Sequence, residues 1–368
     1  MYFGPVETYG SNQYCRMSRK CIISTVQSPF ANLAFEAALY RTLRDEKTLF
    51  LYKNAASVIL GLNQNLWAEV KVEAARSLGV NVVRRFSGGG CVYQDLGNVC
   101  FSFINRVENP TLPLDTRGEN FELILKALKG LGIEANQEGR NDISVGTRKV
   151  SGSAFQFDLG GARAERKLLH HGTLLVNTDC EAMGKVLNPH VLKLESKGVK
   201  SVQARVANIA ELFPSVTTQQ IVDSFSKTFL KGLQNSPIFA DEAYFRTHPD
   251  FEEFFAKISD EKYIFNASRD YLNEFSRKLT KKFAWGLVEA NLDVREGKLV
   301  RVKFFGDMLT FGLPELIERE VELRKPFYSS NALRRFKAEV AEGVESQELR
   351  EQFANVLDWM ADEEESCE

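Results

Sequence analysis

Apolar residues recur along the chain with two different periods, and the first clear one is helical. In the segment "SPFANLAFEAALYRTL" the apolar side chains return every three or four residues. This spacing places them on one face of a helix: Ala31, Ala34, Phe35 and Ala38. Ser28 is a typical N-cap residue, and Pro29 suits the first helical turn. The pattern therefore predicts a helix that begins at Ser28.

The rest of the first 232 residues alternates between strand and helix patterns. Short apolar runs predict strands at 49–52, 57–61 and 168–176. Helical spacing predicts one helix over 67–79, with Gly79 near its end, and another over 120–132. The stretch "DISVGTRKVSGSAF" predicts a hairpin with its turn at Gly146 and Thr147. Strands and helices interleave without a regular βαβ repeat, which favours an α+β fold with a mixed sheet.

The character of the chain changes after residue 232. Residues 233–262 are acidic, aromatic and proline-containing, and we interpret them as a connector. A second hairpin follows with its turn at Glu296 and Gly297, and Val300, Val302 and Phe304 alternate along one of its faces. An amphipathic helix over 346–360 closes the pattern. We therefore predict a tail over 1–21, a large domain over 22–232, the connector, and a small C-terminal α/β domain over 263–368.

Composition narrows the classes of protein that remain. The chain has 47 basic and 49 acidic residues and a net charge of −2, which argues against nucleic-acid and membrane-surface partners. It has no run of 18 apolar residues. Its six cysteines form no CxxC pair, so they indicate neither a zinc site nor a disulfide framework. A soluble protein of a reducing compartment is expected. The basic residues near the start fit either a disordered tail or a transit segment, so mitochondrial and cytoplasmic locations both stay open.

The segment "NVVRRFSGGGCVYQDLGNVCFSF" carries the first candidate chemistry. Arg84 and Arg85 run into the triplet Gly88–Gly90 between two strand-like flanks. No GK[ST] follows the glycines and no helix opens after them, so they are neither a Walker A loop nor a dinucleotide fingerprint. Glycine N–H groups can instead bind an anion such as phosphate. Neighbouring strand residues point to opposite faces, so only one arginine can face a ligand. The alternative is a glycine-rich hairpin or bulge flanked by surface arginines.

Two further clusters contain polar residues inside predicted strands. In "GRNDISVGTRKVSGSAF", Asp142 is a candidate metal ligand, and Lys149 can supply a compact positive charge to a phosphate or carboxylate. The alternative for Lys149 is a solvated surface lysine. In "HHGTLL", His170 and His171 point to opposite faces, so at most one shares a site, and their spacing does not fit zinc. The chain lacks the GxSxG and SxxK signatures of acyl transfer through serine.

Taken together, these segments resemble the lipoate–protein ligase A family of the biotin/lipoate ligase superfamily. The matching pieces come in family order: "ANLAFEAAL", "SVILGLNQNLWAEV", "RRFSGGGCVYQDLGN", "GRNDISV", "RKVSGSAF", "HHGTLLVNTD" and "LNPHVLKLESKGVKSVQARVANI". The C-terminal "FAWGLVEANLDVREGKLVRVKFF" looks like the start of the family's accessory domain. The resemblance implies a biotin/lipoate-ligase-like catalytic domain with that small domain appended. It also implies a reaction in which ATP, with Mg²⁺, activates lipoate to lipoyl-AMP.

The same resemblance implies partners and residue roles. The lipoyl group passes to a lysine of an acceptor, such as the lipoyl domains of 2-oxoacid dehydrogenase E2 subunits or the glycine-cleavage H protein. Lys149 contacts both the lipoyl carbonyl and the phosphate. The ATP-binding set is Lys149 with Arg85, Gly90, Cys91, Val92 and Tyr93. The lipoate-binding set is Lys149 with Ser87, Gly88, Gly89 and His171.

The chain also departs from the family pattern. Gln94 stands where members often have histidine, and Pro189 is followed by His190 where cysteine-dependent octanoyltransferases carry their cysteine. The second difference favours ATP-dependent ligation over octanoyl transfer. Two other readings remain: a lipoyltransferase that uses ready-made lipoyl-AMP and activates lipoate weakly, and a binding module that keeps the fold without the chemistry. The characteristic glycine–arginine loop of biotin ligases is absent.

Overall fold

The computed structural model describes residues 18–43, 46–107, 113–139, 141–158, 166–188, 206–265, 272–308, 312–344 and 346–366. The expectations for the N-terminal tail before residue 18, for Pro189 and for His190 lie outside these residues. Within them, Ser28 caps the first helix as predicted, because its hydroxyl accepts a hydrogen bond of 3.3 Å from the N–H group of Ala31. No helix in this part of the chain is long and apolar enough to cross a membrane.

A large mixed sheet forms the centre of the N-terminal part. Its strands, in spatial order, are β11 (Ile238–Ala240), β1 (Ser18–Ser24), β2 (Glu46–Tyr52), β6 (Asn98–Arg106), β10 (Lys167–Leu175), β9 (Arg148–Asp158), β8 (Asp142–Val145) and β7 (Asn136–Glu138). The pairs of β1 with β11 and β2 are parallel and the other pairs are antiparallel. The mixed α+β sheet is therefore confirmed, as is the hairpin that joins β8 and β9.

Helices cover both faces of this sheet and complete two apolar cores. The helices in this part of the chain include α1 (Pro29–Thr42), α4 (Pro113–Lys129), α5 (Cys180–Val186), α6 (Ile209–Leu212), α7 (Thr218–Phe229), α8 (Glu242–Arg246), α9 (Phe251–Ser259) and α10 (Glu261–Phe265), of which α5 belongs to the core of the smaller sheet. Helices α4 and α7 pack on one face, around Phe101 and Phe103, whereas α1 and α9 pack on the other, around Phe50. Each β-strand of the sheet centre is thus buried on both sides.

The glycine triplet belongs to a second, three-stranded sheet. Its order is β4 (Asn81–Arg84), β3 (Ser57–Leu60), β5 (Val92–Gln94), so β3 lies between the two strands that the triplet connects. The alternative of a glycine-rich hairpin is therefore wrong, because β4 and β5 do not pair with each other. The helix expected over 67–79 is two short helices, α2 (Leu66–Glu69) and α3 (Val72–Ser77), because Val70 is extended and pairs with Leu187.

Residues 233–262 are not an extended connector. They contain β11, which pairs with β1, and α8 and α9, which pack against α1. Phe245, Phe251 and Phe254 are buried in the same core as α1, and the ring of Phe245 stacks on that of Phe35 with centroids 4.1 Å apart. These aromatic residues, part of the pattern that suggested a change of domain, are therefore core residues of the large sheet, whereas Phe239 is exposed.

The C-terminal part is a three-stranded antiparallel sheet with helices on one face. The strands are β12 (Arg277–Phe283), β13 (Gly286–Arg295) and β14 (Lys298–Gly306), and the helices are α11 (Leu313–Arg324), α12 (Ser330–Ala341) and α13 (Gln347–Glu365). The turn at Glu296 and Gly297 is confirmed, and both residues have positive φ. A bulge beside Val294 shifts the register, so that Leu299 enters the core in place of the expected Val300.

His170 is a buried histidine of the large sheet and gives a testable pH dependence. Its ring is fully buried among phenylalanines, with the centroid of Phe155 at 4.6 Å and that of Phe121 at 4.7 Å. Burial, with the nearby charges of His171 and Arg117, holds the pKa of His170 well below its usual 6.5. The folded protein therefore keeps this ring neutral while the unfolded chain protonates it as the pH falls below about 6.5.

We expect the free energy of unfolding to fall below pH 6.5 by up to about 1.4 kcal/mol per pH unit from this histidine. The variant His170→Phe fits the aromatic surroundings and should reduce that slope between pH 6.5 and 5. Urea unfolding of both proteins across this range measures the difference. Equal slopes for the two proteins would contradict the assignment.

Candidate active site

A cavity opens between the large sheet and the three-stranded sheet. Its wall has an apolar part and a polar part. The apolar part includes Leu33, Ile59, Val92 and Ala154, and the polar part includes Arg85, Gln94, Asn141, Lys149 and His171. Among the residues that the structure describes, the wall contains no aspartate or glutamate, and its charged side chains are those of Arg85 and Lys149. Such a cavity suits a ligand with an apolar chain and an anionic end.

Lys149 reaches the cavity because of a local irregularity in the β8–β9 hairpin. A register shift between Ile143 and Ser144 interrupts the ladder close to Lys149. The lysine side chain then lies across Gly152, where a Cβ atom would stand only 3.2 Å from Nζ. Nζ is 2.7 Å from Oδ1 of Asp142, and both side chains remain about one-third exposed. Asp142 therefore positions the ammonium group at the rim of the cavity.

Arg85 shapes the glycine loop as well as charging the cavity wall. Nη2 of its guanidinium donates to the carbonyl oxygens of Gly88 at 2.5 Å and Gly90 at 2.9 Å. Nη1 donates to the carbonyl of Ile59 at 3.3 Å, and Nε donates to the hydroxyl of Ser87 at 3.0 Å. Burial lowers the pKa of Arg85 to about 10, which still leaves it charged at neutral pH. The hydrogen bonds from Arg85 therefore hold the backbone of the glycine triplet in its curved conformation.

A buried polar network continues from Ser87 behind the wall. Oγ of Ser87 lies 2.7 Å from Nε2 of His171, and Nδ1 of His171 lies 2.9 Å from Oε1 of Glu36. Tyr52 and Ser102 donate to the other carboxylate oxygen. Burial acts to raise the pKa of Glu36, but His171 and these hydrogen bonds together hold it below its usual value. Glu36 is therefore an anion inside the protein.

The order Glu36–His171–Ser87 is that of the catalytic triad of serine hydrolases, but the surroundings of the serine differ. Ser87 is 1% exposed, does not line the cavity, and accepts a hydrogen bond from Nε of Arg85. A hydroxyl held in this way cannot reach a substrate. The network instead fixes His171 and Arg85 in place, which agrees with the missing serine-hydrolase motifs.

The structure brings many of the sequence-predicted residues together. Arg85, Gly90, Cys91, Val92, Lys149 and His171 line the cavity, and Asp142 contacts Lys149. Ser87, Gly88 and Gly89 lie behind the lining, and the Tyr93 side chain packs into a separate core with Val58 and Leu60. Arg84 does not line the cavity and donates to backbone carbonyls elsewhere, so one arginine of the pair lies in the cavity wall. The individual roles of these residues stay predictions.

Sequence reasoning missed Glu36, Tyr52 and Ser102. One signal was present, because Glu36 is a charged residue beside Phe35 on the apolar face of α1. A buried carboxylate at such a position needs partners, and these come from β2, β6 and β10. Their assembly depends on the sheet order, which local patterns do not reveal.

The geometry of the loop makes Gly89→Val an informative change. Gly89 has φ +88°, a conformation that a β-branched residue adopts only with strain, and its N–H group donates to the carbonyl of Met308 at 2.9 Å. We expect valine to displace the loop and lower the activity with ATP by roughly 10- to 100-fold. Steady-state kinetics with varied ATP concentration measure this loss.

A matched control for this change is Gly79→Val. Gly79 also has a positive φ, +64°, but it lies in the turn after α3, outside the glycine loop that leads into the cavity wall at Gly90. Both substitutions should cost similar stability, and only Gly89→Val should change the kinetics of the folded protein. If the two folded variants have the same kinetic constants, the glycine triplet is only a structural turn and has no role in binding ATP.

Comparison with known proteins identifies the family to which this arrangement corresponds. A model described as the lipoyl protein ligase A/B catalytic domain matches residues 28–230, and one described as the bacterial lipoate protein ligase C-terminus matches residues 273–357. The lipoate-protein ligase A of Psychrobacter cryohalolentis is 36% identical over 313 residues, which are 83% of this chain and 88% of that protein.

Two solved structures are similar over most of their length. The crystal structure of P. falciparum LipL1 in complex with lipoate aligns with a TM-score of 0.75 and 28% identity, covering 92% of this chain and 99% of that one. The bipartite lipoate protein ligase of Thermoplasma acidophilum, described together with its E2 lipoyl domain, aligns with a TM-score of 0.57 and 26% identity, covering 68% and 98%.

Proposed function

Because the chain belongs to the lipoyl protein ligase A/B family, we propose that it is an ATP-dependent lipoate–protein ligase. It activates lipoate as lipoyl-AMP and transfers the lipoyl group to a lysine of an acceptor domain. The observation that carries this proposal is the cavity itself, whose described wall combines apolar side chains with Arg85 and Lys149 and contains no aspartate or glutamate. Lipoate has matching chemistry, an apolar chain with a carboxylate at one end.

In the first step, a carboxylate oxygen of lipoate attacks the α-phosphorus of ATP. The bond from this phosphorus to the β-phosphate oxygen breaks, and pyrophosphate leaves. The step gathers several anionic oxygens at one place, and fixed cations stabilise such charge in a site that excludes water. Lys149 Nζ, held 2.7 Å from Asp142 at the cavity rim, is in a position to bind the carbonyl and the α-phosphate. Arg85 adds a second buried charge and holds the glycine loop.

In the second step, the ε-amine of an acceptor lysine attacks the carbonyl of the mixed anhydride. An amide bond forms, the carbonyl–phosphate bond breaks, and AMP leaves with the negative charge. The amine loses a proton in the process. The acceptor class we propose is the lipoyl domain of 2-oxoacid dehydrogenase E2 subunits, with the glycine-cleavage H protein as a second member of that class.

Mg²⁺ is expected to arrive with ATP as part of the substrate. Among the residues that the structure describes, no group of three His, Cys, Asp or Glu side chains is arranged to hold a metal ion. Mg²⁺ typically keeps several waters and binds through one or two carboxylates and the substrate phosphates. Asp142, beside Lys149, is the carboxylate that fits this description, so it stays a candidate ligand.

The test is a pair of assays on the full chain. Lipoate-dependent release of pyrophosphate from ATP, followed by modification of an apo lipoyl domain, is the expected result. If the lipoyl domain is modified only when lipoyl-AMP is supplied, the protein is a lipoyltransferase and the proposal is wrong. Binding of lipoate without either reaction would replace it with a binding module.

A further inference from the structure

A series of side-chain hydrogen bonds links helix α1 to the glycine loop, and the chemistry of the donors fixes their direction. Nε of Arg85 carries one proton and can only donate, so the hydroxyl oxygen of Ser87, at 3.0 Å, is its acceptor. The hydroxyl proton of Ser87 has two acceptors in reach, Nε2 of His171 at 2.7 Å and the carbonyl of Gly88 at 3.5 Å. The first distance is that of an ordinary hydrogen bond, and the carbonyl already accepts from Arg85. Ser87 therefore donates to His171.

This direction determines which nitrogen of His171 carries a proton. A ring nitrogen that accepts a hydrogen bond has no proton, so the proton of the neutral ring lies on Nδ1. Nδ1 is 2.9 Å from Oε1 of Glu36, which can accept it. Glu36 is 4% exposed, and its other oxygen accepts from the hydroxyls of Tyr52 and Ser102. The carboxylate thus orients the ring, and the ring orients the hydroxyl of Ser87.

His171 borders the cavity, but both of its ring nitrogens are engaged in these contacts. A charged ring would donate from both nitrogens and would leave the hydroxyl proton of Ser87 only the contact of 3.5 Å to Gly88. It would also place a second buried cation beside the guanidinium of Arg85, which is costly. The neutral ring is therefore favoured, and a contact between His171 and a ligand is left to the ring carbons.

The link to Ser87 determines where the remaining N–H group of Arg85 points. A guanidinium is planar and has five N–H groups. Four of them donate, to the hydroxyl of Ser87 and to the backbone carbonyls of Ile59, Gly88 and Gly90. Within the described residues no acceptor contacts the fifth, on Nη1, and Arg85 borders the cavity. Since the three nitrogens share one plane, the bond to Ser87 helps to set the direction of this last N–H group.

We propose that Glu36 is a positioning residue for ATP binding, because the hydrogen-bond relay Glu36–His171–Ser87–Arg85 orients the N–H group of Arg85 that binds a phosphate oxygen. The inference rests on the proposed function, in which Arg85 meets the nucleotide. Glu36 is not among the described residues of the cavity wall, so it acts on the ligand only through this relay. A carboxylate suits the first position because it only accepts, whereas an amide could present its NH₂ group to Nδ1 and move the ring proton to Nε2.

The first test is Glu36→Gln in the full-length chain. Glutamine has nearly the same size, but its NH₂ group can face Nδ1 of His171, which reverses the relay and removes the proton of Ser87 from its acceptor. We expect the KM for ATP to rise about 10-fold, in the range of one hydrogen bond to a charged group, with a smaller change in kcat at saturating ATP. Steady-state release of pyrophosphate measures both constants.

The matched control for this change is Glu289→Gln. Glu289 is another buried carboxylate, on β13, and it pairs with Lys278 at 2.8 Å outside the described cavity wall. Its substitution should leave the KM for ATP unchanged. An unchanged KM for ATP in a folded Glu36→Gln protein that releases pyrophosphate would overturn the inference and leave the ligase activity standing.

The second test asks whether Glu36 acts through Arg85. Lysine in Arg85→Lys keeps the positive charge but has no Nε–H group for Ser87, so the relay has no guanidinium left to orient. Glu36→Gln should then change the KM for ATP by less than about twofold in this variant. Equal effects in both backgrounds would overturn the inference, because Glu36 would act independently of Arg85. If Glu36→Gln does not fold, Ser87→Ala interrupts the relay at its middle and gives the same comparison.

A third measurement detects the relay without any reaction. The chain has four histidines, and ¹⁵N NMR shifts of their labelled rings report which nitrogen carries a proton. The signal that is lost in His171→Gln identifies the ring. We expect the proton of His171 on Nδ1 in the wild type and on Nε2 in Glu36→Gln. A wild-type ring with its proton on Nε2, or on both nitrogens, would overturn the relay. A wild-type protein without lipoate-dependent pyrophosphate release would remove the proposed function, and the ring signals would still decide the relay.

Discussion

Replacing Lys149 with alanine is expected to lower the rate of lipoyl-AMP formation by about 10²- to 10³-fold, the usual loss for one fixed group that stabilises transition-state charge. The side chain is one-third exposed and its ion pair with Asp142 lies at the cavity rim, so its removal should cost little stability. Pyrophosphate release under saturating ATP and lipoate measures the chemical step, and circular dichroism checks the fold.

The control for this prediction is Lys185→Ala. Lys185 also pairs with a carboxylate, that of Glu181 at 2.6 Å, but the pair lies on exposed helix α5 outside the cavity. It should retain normal turnover. Near-normal turnover of a folded Lys149→Ala protein would mean that Lys149 is a solvated surface lysine without a role in the reaction.

Replacing Arg84 with leucine is expected to destabilise the protein by about 3–5 kcal/mol, because several buried carbonyls lose their donor and each unpaired buried acceptor costs about 1–3 kcal/mol. Arg84 is 1% exposed, and burial lowers its pKa to about 10. Its guanidinium donates to five backbone carbonyls from two separate segments, at 2.7–3.1 Å: those of Gly61, Leu62, Gln64, Tyr263 and Ile264. Leucine fills much of the space but leaves these carbonyls without their donor.

Urea unfolding of the variant and the wild type measures this loss. Arg76→Leu is the matched control, because Arg76 is a largely exposed arginine of α3 whose partner Glu73 is also exposed. A surface change of this kind typically stays within about 0.5 kcal/mol. A loss below about 1 kcal/mol for Arg84→Leu would mean that water replaces the guanidinium at all five carbonyls.

The sequence predicts those parts of the fold whose conformation depends on residues close to one another in the sequence. The cap at Ser28 and the turns at 146–147 and 296–297 follow from local chemistry. The break at Val70 depends on Leu187, more than a hundred residues away. The burial of Phe245 depends on its stacking with Phe35 in the first helix. Contacts of this kind leave no local pattern.

The same division applies to the candidate site. Arg85, Lys149 and His171 were predicted from the resemblance of their segments to the family, which short stretches of neighbouring residues carry. The hydrogen bonds from Asn32 to Asn54 and from Asn54 to Gln94 were not predicted, because these residues lie on α1, in the loop between β2 and β3, and on β5, and meet only when these segments pack. A buried polar residue in an apolar element, such as Glu36, remains the most useful sequence signal for such partners.

The hydrogen bond from Gly89 to Met308 has a consequence for how the two ends of the chain influence each other. A second backbone bond, from the N–H of Gly306 to the carbonyl of Asn63 at 2.8 Å, holds the end of β14 to the loop after β3. Gly90 and Cys91, which follow Gly89 in the same loop, line the cavity, so a ligand that moves this loop also changes the bond to Met308. Thermodynamic reciprocity then requires the end of β14 to change ligand binding by the same factor. We therefore expect amide hydrogen exchange at residues 304–308 to be faster in the ligand-bound protein than in the free protein.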